Sequence, residues 1–575
     1  MSPLNPMSIV PASKWILNYR KGDLPSDALA GMIVAIMLVP QAMAYALLAG
    51  LPPQYGLYAS ILPLVAYAIF GSSRTLAVGP VAIVSLMVAS ALQGMNGIAE
   101  ETYPAMALLL ALMSGIILLA MGVLRLGFLM NYLSHPVISG FTSAAAIVIG
   151  LSQLRHLIGV SVPRSSSVIE TVLSIVNSLD EVNPVAAMLG LGTVGFLLIW
   201  RRSFTRLAAI PNSVSGIMET LGKAGPLAAV ISATLFVAAF ELNDTAGIEI
   251  VGAIPAGLPG VTVPDITNLP WQDLIFAAFL ISFVGFLESV SVAKALASKR
   301  RQKIEPNQEL IGLGAANVAA AFTGGYPVTG GFSRSVVNFT AGAATPLASL
   351  VTAALIALTV VFLTPLFYYL PKAILAAVIV VAVATLVDLD TARQVWRYNK
   401  ADAISLAGTF LAVLALGIEE GILAGAAISI SLYLWRTSRP HMAIVGRIGE
   451  TEHFRNINRH EVKTCSHVIA LRVDESLYFA NTSFLEEQML QLIADKPEVG
   501  HIVLICNAVN FIDASALDSL DRLTTELHDA RVLLHLAEVK GPVMDKLEGT
   551  RFLKDLKPGK IYLSTHEAMT DLNCV

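Results

Sequence analysis

Residues 326–335, Tyr-Pro-Val-Thr-Gly-Gly-Phe-Ser-Arg-Ser, hold the strongest clue to the fold. Within them, Arg334 is the only charged residue between Glu309 and Lys372. A charge at the centre of a bilayer costs at least about 2.5 to 3.5 kcal/mol, so an arginine there points to a functional site. A proline and two glycines before a run too short to cross a bilayer predict a broken transmembrane helix that begins inside the membrane.

The composition around this segment indicates an integral membrane protein. Of the 575 residues, 14% are charged and 55% are hydrophobic, whereas about 25% are charged in ordinary soluble proteins. So few charges cannot cover a soluble fold of this size, which argues against a soluble enzyme, a disordered scaffold and a nucleic-acid-binding protein. The formal net charge of -4 is too small to identify a polyanionic partner.

A second segment has the same character as the first. Residues 75–78 favour an extended conformation, and the Gly-Pro pair at 79–80 then opens a helix with proline in its first turn. Two such breaks predict an internal repeat; if the halves are inverted, two helix amino termini face each other near the middle of the membrane. Their unpaired N–H groups would bind an anion, with further donors from Ser333, Arg334 and Ser335.

Glu288 is the candidate partner of Arg334, because it is the only charged residue between Asp273 and Lys294. Two interpretations stay open. In one, the pair is purely structural and the glycines serve close helix packing. In the other, the protonation of Glu288 changes during a transport cycle, and the residue binds a co-transported proton.

Pro40 lies within the first apolar span, where proline removes a helical hydrogen bond. Local unwinding there would direct Gln41 and Tyr45 towards the same cavity. The alternative is an ordinary kink in which neighbours satisfy a buried amide. The sequence has no recognisable phosphate-cradling loop, zinc ligand set or nucleophile–base pair, so we expect no enzymatic activity, no cofactor and no bound metal.

The apolar blocks predict about fourteen membrane crossings. No charged residue occurs in 28–73, which is long enough for two spans interrupted near 50–53. The further blocks are 75–99, 102–124, 136–153, 184–200, 226–240, 274–298, 310–329, 331–344, 346–370, 373–387, 403–418 and 421–435. Because lysine and arginine cluster between alternate blocks, we expect both termini in the cytoplasm.

After about Arg439 the chain becomes typical of a soluble α/β domain. Strand-like runs at 467–473, 501–506 and 531–537 alternate with helix-like runs at 484–494 and 515–528, and a short final helix follows.

The predicted organisation is a cytoplasmic segment 1–27, a transmembrane domain 28–436 and a cytoplasmic domain 437–575. The cysteines are odd in number and lack metal-ligand spacing, so we expect free thiols in a reducing compartment at Cys465, Cys506 and Cys574.

Five motifs together resemble the sulfate permease (SulP) family of anion transporters. They are VPQAMAYA at 39–46, GLPPQYGLY at 50–58, the Gly-Pro pair at 79–80, NQEL at 307–310 and GGFSRS at 330–335. The resemblance implies fourteen membrane segments in a seven-plus-seven inverted repeat, divided into a core domain that carries the anion and a gate domain. It also implies a cytoplasmic STAS domain and a homodimer.

The resemblance also implies positions for the site. The family's anion site would comprise Gln41 and Tyr45 of the first segment, Pro80, Val81 and Ala82 of the third, and Phe332, Ser333 and Arg334 of the tenth. Glu288 is similar to carboxylates linked to proton coupling in family members, whereas sodium-coupled bicarbonate relatives tend to carry aspartate in that segment.

In the C-terminal domain, NFIDASAL at 510–517 resembles a STAS run that carries a phosphorylatable serine in bacterial regulatory relatives. Only Ser515 remains of that serine pattern, at a helix amino terminus where serine also serves as a cap.

These features predict a secondary active transporter that carries sulfate with protons across the cell membrane by an elevator-like movement of the core. The alternatives are sodium-coupled bicarbonate or dicarboxylate transport, and an uncoupled anion channel or exchanger. A membrane-tethered regulator is least favoured, because Arg334 and the paired breaks would then lack a purpose. The expected partners are a small anion, a proton, the lipid bilayer and a second copy of the chain, with no nucleic acid.

Overall fold

The computed structural model describes residues 10–93, 95, 100–132, 134–160, 168–208, 222, 224–264 and 269–575. Residues 1–9 of the predicted N-terminal segment, and the end of the predicted span 75–99 from residue 96 onward, lie outside this set. The chain folds as two compact units, Met1–Ser429 and Ile430–Val575.

The regular elements that the structure describes in the first unit are helices and two short strands. The helices of its first half are α1 (Ala12–Leu17), α2 (Leu24–Leu48), α3 (Pro53–Tyr58), α4 (Leu62–Phe70), α5 (Ala82–Gln93), α6 (Tyr103–Val123), α7 (His135–Ile158), α8 (Val168–Asn177), α9 (Pro184–Ala208), α10 (Gly225–Ala239) and α11 (Leu242–Thr245). Those of its second half are α12 (Trp271–Lys299), α13 (Pro306–Phe322), α14 (Phe332–Thr340), α15 (Leu347–Phe362), α16 (Lys372–Ala384), α17 (Leu389–Tyr398), α18 (Lys400–Leu416) and α19 (Ile418–Ser438), which continues into the second unit. The strands are β1 (Val78–Gly79) and β2 (Thr329–Gly330).

Each predicted apolar block contains a helix, which makes fourteen segments among the described residues when α3 and α4 count as one broken segment. Six helical stretches are long and apolar enough to cross a membrane by themselves, as far as the chain is described: Lys21–Leu48, Tyr103–Val123, His135–Ile158, Pro184–Phe204, Trp271–Lys299 and Lys372–Tyr398. A crossing takes about 20 helical residues. With 12 and 9 residues, α5 and α14 are too short to cross alone, as predicted for the two broken helices.

The prediction that the helix unwinds at Pro40 is wrong, because α2 runs unbroken with Pro40 inside it. Most of α2 is buried, and α3 approaches it so closely that a Cβ atom on Gly56 would lie 1.9 Å from the carbonyl oxygen of Ala42. Tertiary packing of this kind stabilises a helix far more than a single hydrogen bond does, so α2 tolerates the proline.

The second unit is an α/β domain built on one six-stranded sheet. Its strands are β3 (Met442–Arg447), β4 (Phe454–Asn456), β5 (Val468–Val473), β6 (His501–Ile505), β7 (Leu533–Ala537) and β8 (Ile561–Tyr562), in the order β4-β3-β5-β6-β7-β8. Strands β5 to β8 are parallel, and β3 is antiparallel to both β5 and β4. The helices are α20 (Thr482–Asp495), α21 (Ala514–Asp529), α22 (Gly541–Leu547), α23 (Phe552–Asp555) and α24 (Thr565–Asp571). The predicted alternation of strands and helices is confirmed.

Two expectations for this unit are wrong. Asp513 caps α21, since its Oδ1 accepts the N–H of Ala516 at 2.8 Å, whereas Ser515 is exposed and makes no cap. Cys465 and Cys574 are joined in a disulfide, and only Cys506 is a free cysteine. The two bonded cysteines are 109 residues apart, so the spacing in the sequence could not indicate their contact.

Candidate functional site

The two breaks in the membrane unit meet as a short antiparallel ladder. Val78 pairs with Gly330 and Gly79 with Thr329, and the N–H of Gly331 continues the ladder to the carbonyl of Ala77 at 3.1 Å. Immediately after the ladder, the first strand leads into α5 and the second strand leads into α14. Both helices therefore begin at the same place.

The amino ends of these helices carry backbone donors with no helical partner. The first bonds within the two helices run from Ser85 to the carbonyl of Val81 at 2.9 Å and from Ser335 to that of Gly331 at 3.1 Å. The N–H groups of residues 82–84 and 332–334 precede these bonds, as helix geometry requires. Together with the positive ends of both helix dipoles, they create a positive potential at the crossing.

A cavity opens at this crossing. It is lined by eight of the residues singled out from the sequence: Gln41, Tyr45, Val81, Ala82, Glu288, Phe332, Ser333 and Arg334. Gln41 and Tyr45 reach it from an intact helix, without the unwinding that was expected. Ile83 and Gly331 also line the cavity, as does a mostly apolar side at the end of α16, formed by Ala382, Val383, Thr385 and Leu386. None of these positions was predicted from the sequence.

Pro80 and Ser335 do not line the cavity but support it. The carbonyl of Pro80 accepts a hydrogen bond from Nη1 of Arg334. The hydroxyl of Ser335 accepts the N–H of Ala77 at 2.9 Å and donates to the carbonyl of Gly331 at 2.7 Å. Both residues thus join the two breaks to each other.

Arg334 is 2% exposed and lies across the backbone of the crossing. A Cβ atom on Gly331 would lie 2.8 Å from Nη2 of Arg334, and one on Gly79 would lie 3.4 Å from the same atom. The two glycines therefore make room for the guanidinium. Its Nε and Nη2 atoms are buried and have no hydrogen-bond partner in the described part of the chain.

Glu288 faces the same cavity from α12 but does not pair with Arg334. No ion pair within 4.0 Å joins these two described residues, and the buried Oε2 of Glu288 has no hydrogen-bond partner. A buried charged group without a partner is costly, so a merely structural ion pair does not account for either residue.

The strand β2 is supported by residues that the sequence analysis overlooked. Ser289 accepts the N–H of Gly330 at 2.8 Å, and Thr329 donates to the carbonyl of Gly285 at 2.6 Å. Asn317 bonds both the N–H and the carbonyl of Val328 at 2.9 Å, as a neighbouring strand would. The available signal was that Ser289 and Asn317 are small polar residues within the apolar stretches of α12 and α13.

Two fully buried carboxylates anchor the segments next to the breaks. Glu309 of α13 holds the segment that precedes β1. Its carboxylate accepts hydrogen bonds from Tyr67 Oη at 2.6 Å, from the N–H and hydroxyl of Ser72 at 2.8 and 2.6 Å, and from the N–H of Ser73 at 3.0 Å. Asp27 of α2 holds the segment that follows α14. Its carboxylate accepts hydrogen bonds from the N–H groups of Ala344 and Thr345 at 2.7 and 3.0 Å and from the hydroxyl of Thr345 at 2.6 Å.

The fold and the site together define a multi-pass membrane transporter whose cavity is suited to an anion. Residues 24–409 match the sulfate permease family, and residues 459–568 match the STAS domain. The chain belongs to the sulfate permease family. Since this is a family of transporters, the chain is an anion transporter and not an enzyme.

The relatives extend over nearly the whole chain. The chain is 40% identical over 531 residues to sulfate transporter 4.1, chloroplastic, of Arabidopsis thaliana, covering 90% of this chain and 76% of the relative. It is 34% identical over 553 residues to a probable sulfate transporter of Mycobacterium tuberculosis, covering 96% of each. Among solved structures, the murine solute carrier 26 member A9 anion transporter in the inward-facing state matches with a TM-score of 0.90 at 24% identity, covering 100% of this chain and 96% of that one.

These findings confirm the predicted family and fold class, a seven-plus-seven helical membrane fold followed by a STAS domain. The roles of the individual site residues remain predictions.

Proposed function

We propose that this protein is a secondary active transporter that moves sulfate together with protons by an elevator-like movement of its core. One observation carries the proposal: Arg334 is buried where two helix amino termini meet, and two of its nitrogen atoms have no partner. A buried arginine in a membrane span needs a negatively charged partner, and an anion in the cavity supplies it.

The donor set suits a tetrahedral oxyanion. The N–H groups at 82–84 and 332–334 approach from two directions, the Ser333 hydroxyl adds a third, and the Arg334 guanidinium presents its remaining donors. Gln41 and Tyr45 supply neutral donors from α2. Four sulfate oxygens can each accept several hydrogen bonds, so such a set would replace much of the hydration that the anion loses. The names of the relatives agree with sulfate as the substrate.

Glu288 would couple the anion to a proton. An ionised Glu288 would place a second negative charge beside a bound dianion and weaken the pull of Arg334, whereas a protonated Glu288 would not. Anion binding and proton binding would then favour each other, and this mutual dependence is what symport requires.

The packing around the cavity supports the proposed movement. Hydrogen bonds of Ser335 and Asn338 join the two breaks to each other, and Ser289 joins α12 to β2. The side formed by α16 is mostly apolar, and its Thr385 hydroxyl bonds its own helix at the carbonyl of Ala382. Apolar surfaces can slide with little cost, so the donor-bearing elements would move past α16 as one body.

The proposal includes the placement of the chain. We place it in the cell membrane as a homodimer with both termini in the cytoplasm, divided into a segment 1–27, a transmembrane domain 28–436 and a STAS domain 437–575. The clusters of lysine and arginine support this orientation, because basic residues are retained on the cytoplasmic side.

Proteoliposomes containing the purified full-length chain would test the proposal. With the membrane potential clamped, a gradient that is acidic outside should drive concentrative uptake of radiolabelled sulfate, and a protonophore should abolish it. Dependence on a sodium gradient with bicarbonate as the preferred substrate would contradict the proposal, as would large anion currents without accumulation.

Replacing Glu288 isolates the coupling step. Glu288→Gln should retain exchange of sulfate across the membrane but lose the response to the proton gradient, since glutamine cannot take up the proton. Asp273→Asn, at the exposed start of α12, serves as a matched control. Unchanged pH-driven uptake in Glu288→Gln would end the assignment of the proton to this residue.

A further inference from the structure

Three side chains of types that can bind a metal lie close together in the second unit. Cys465 and His467 lie just before β5, and Cys574 follows α24. One ligand atom from each lies within 4.8 Å of the others. The structure holds the two sulfur atoms as a disulfide.

The ring of His467 contacts both sulfur atoms and one backbone carbonyl. Its Nε2 lies 3.1 Å from the carbonyl oxygen of Leu572, which can only accept a hydrogen bond. In the neutral ring, Nε2 therefore carries the proton and Nδ1 the lone pair. The sulfur of Cys465 lies 3.4 Å from Nδ1 and 3.9 Å from Nε2, and the sulfur of Cys574 lies 3.6 Å from Nε2. A histidine that binds a metal usually donates its second N–H to a carbonyl or carboxylate in this way.

We propose that the reduced form of this cluster binds one thiophilic divalent cation, Zn²⁺, through the two sulfurs and Nδ1 of His467. Bond lengths of about 2.3 Å to sulfur and 2.0 Å to nitrogen separate tetrahedral ligand atoms by roughly 3.5 Å, close to the sulfur–nitrogen distance at Cys465. Binding converts both thiols to thiolates and releases two protons, while the ring stays neutral. The fourth position faces solvent, because His467 is exposed.

The disulfide and the metal site exclude each other. A sulfur bonded to another sulfur is not a thiolate and is a poor zinc ligand, so only the reduced chain would load the metal. The sulfurs must then separate to about 3.7 Å. The sulfur of Cys574 must also move from Nε2 towards Nδ1. Cys574 lies after α24 and in no helix or strand, so this change does not disturb a regular element.

Cys506 provides a matched control within the same unit. It is 3% exposed, and burial raises the pKa of its thiol to about 12. It therefore remains a protonated thiol at neutral pH and takes no part in the cluster.

The test uses the purified full-length chain in detergent with any affinity tag removed. After reduction by a phosphine and removal of the excess under argon, Zn²⁺ is titrated against a chromophoric chelator, and Cd²⁺ is titrated in parallel to detect thiolate-to-metal absorption in the ultraviolet. We expect one Zn²⁺ per chain, a Cd²⁺ absorption band, and no tight binding by the chain left oxidised.

Variants give the proposal its sharpest test. Cys465→Ser and Cys574→Ser should each weaken Zn²⁺ binding at least about 100-fold, and His467→Ala about 10-fold or more, since each removes one ligand. Cys506→Ser should bind as the unmodified chain does, and circular dichroism would verify that every variant is folded. Binding by the reduced chain no tighter than by Cys465→Ser, or loss of binding in Cys506→Ser, would overturn the proposal.

Discussion

The two broken helices have the same backbone arrangement but different side chains. Each break ends in a two-residue strand, and the strands pair with each other before α5 and α14 begin. The first break continues with Pro80, Val81 and Ala82, which offer the site backbone groups only. The second adds the Ser333 hydroxyl and the Arg334 charge. One break therefore supplies geometry, and the other supplies both geometry and charge.

Buried carboxylates support the segments next to both breaks, and a second residue assists at each: Gln308, which donates to the carbonyl of Phe70, at the first, and Arg300 at the second. One carboxylate, Glu309, holds the segment before the first break. The segment that follows the second break is held by Asp27 and also by Arg300, whose guanidinium donates to the carbonyls of Phe339 and Ala343 at the end of α14. Each break is thus fixed by several hydrogen bonds to other helices, as a preorganised binding site requires.

The largest expected effect would come from removing the charge that distinguishes the breaks. Arg334→Ala should lower sulfate transport at least about 100-fold, because the helix termini alone offer only partial charges. Uptake in proteoliposomes measures this, and size-exclusion chromatography shows whether the variant is folded. Arg334→Lys keeps the charge but not the planar set of donors, so its rate of sulfate transport should lie between those of Arg334→Ala and the unmodified protein. Normal uptake by folded Arg334→Ala would remove this residue from the site.

A smaller effect is expected from displacing the guanidinium without deleting it. In Gly331→Ala, the new Cβ atom would lie 2.8 Å from Nη2 of Arg334, so the side chain must shift. We expect sulfate affinity to fall about 10-fold, since misplacement of one charged donor costs about 1.4 kcal/mol or more. Gly150→Ala, where a Cβ atom meets open space, is the control. Equal affinities of the two variants would show that the close approach is unimportant.

Two serines in the second break should separate binding from support. Ser333→Ala should raise KM for sulfate a few-fold and leave the melting temperature unchanged, because this side chain lines the cavity. Ser335→Ala should instead lower stability by about 1 to 3 kcal/mol, because it leaves the buried N–H of Ala77 without a partner. Thermal unfolding and uptake kinetics on the same preparations measure both effects. A loss of stability in Ser333→Ala together with a raised KM in Ser335→Ala would show that Ser333 supports the crossing and Ser335 binds the anion.

The smallest effect on transport is expected at the anchoring carboxylates. Glu309→Gln and Asp27→Asn should each destabilise the fold by about 1 to 3 kcal/mol, because the new amide group faces N–H and hydroxyl donors. Sulfate affinity at low temperature should change less than about twofold, since neither side chain lines the cavity. A large loss of affinity at unchanged stability would place that carboxylate in the binding machinery.

Local patterns were sufficient to predict much of the molecule. Long apolar runs predicted the membrane segments, and the glycine and proline positions at 79–80 and 326–331 predicted both breaks. The prediction at Pro40 failed because the packing of Gly56 against Ala42 supports α2 through the proline. The prediction of free thiols failed because Cys465 and Cys574 come together only in the folded domain.

The amino-acid sequence by itself determined that this chain enters a membrane, where its helices are interrupted and which arginine is buried. It did so because hydrophobicity, charge and backbone preference act over a few residues and can be recognised wherever they occur. Only the tertiary structure decided that Ser335 supports the crossing while Ser333 lines the cavity, that the end of α16 completes the cavity, and that Glu288 stands apart from Arg334. Those outcomes depend on contacts between residues tens to hundreds of positions apart, and the packing of the whole fold selects them.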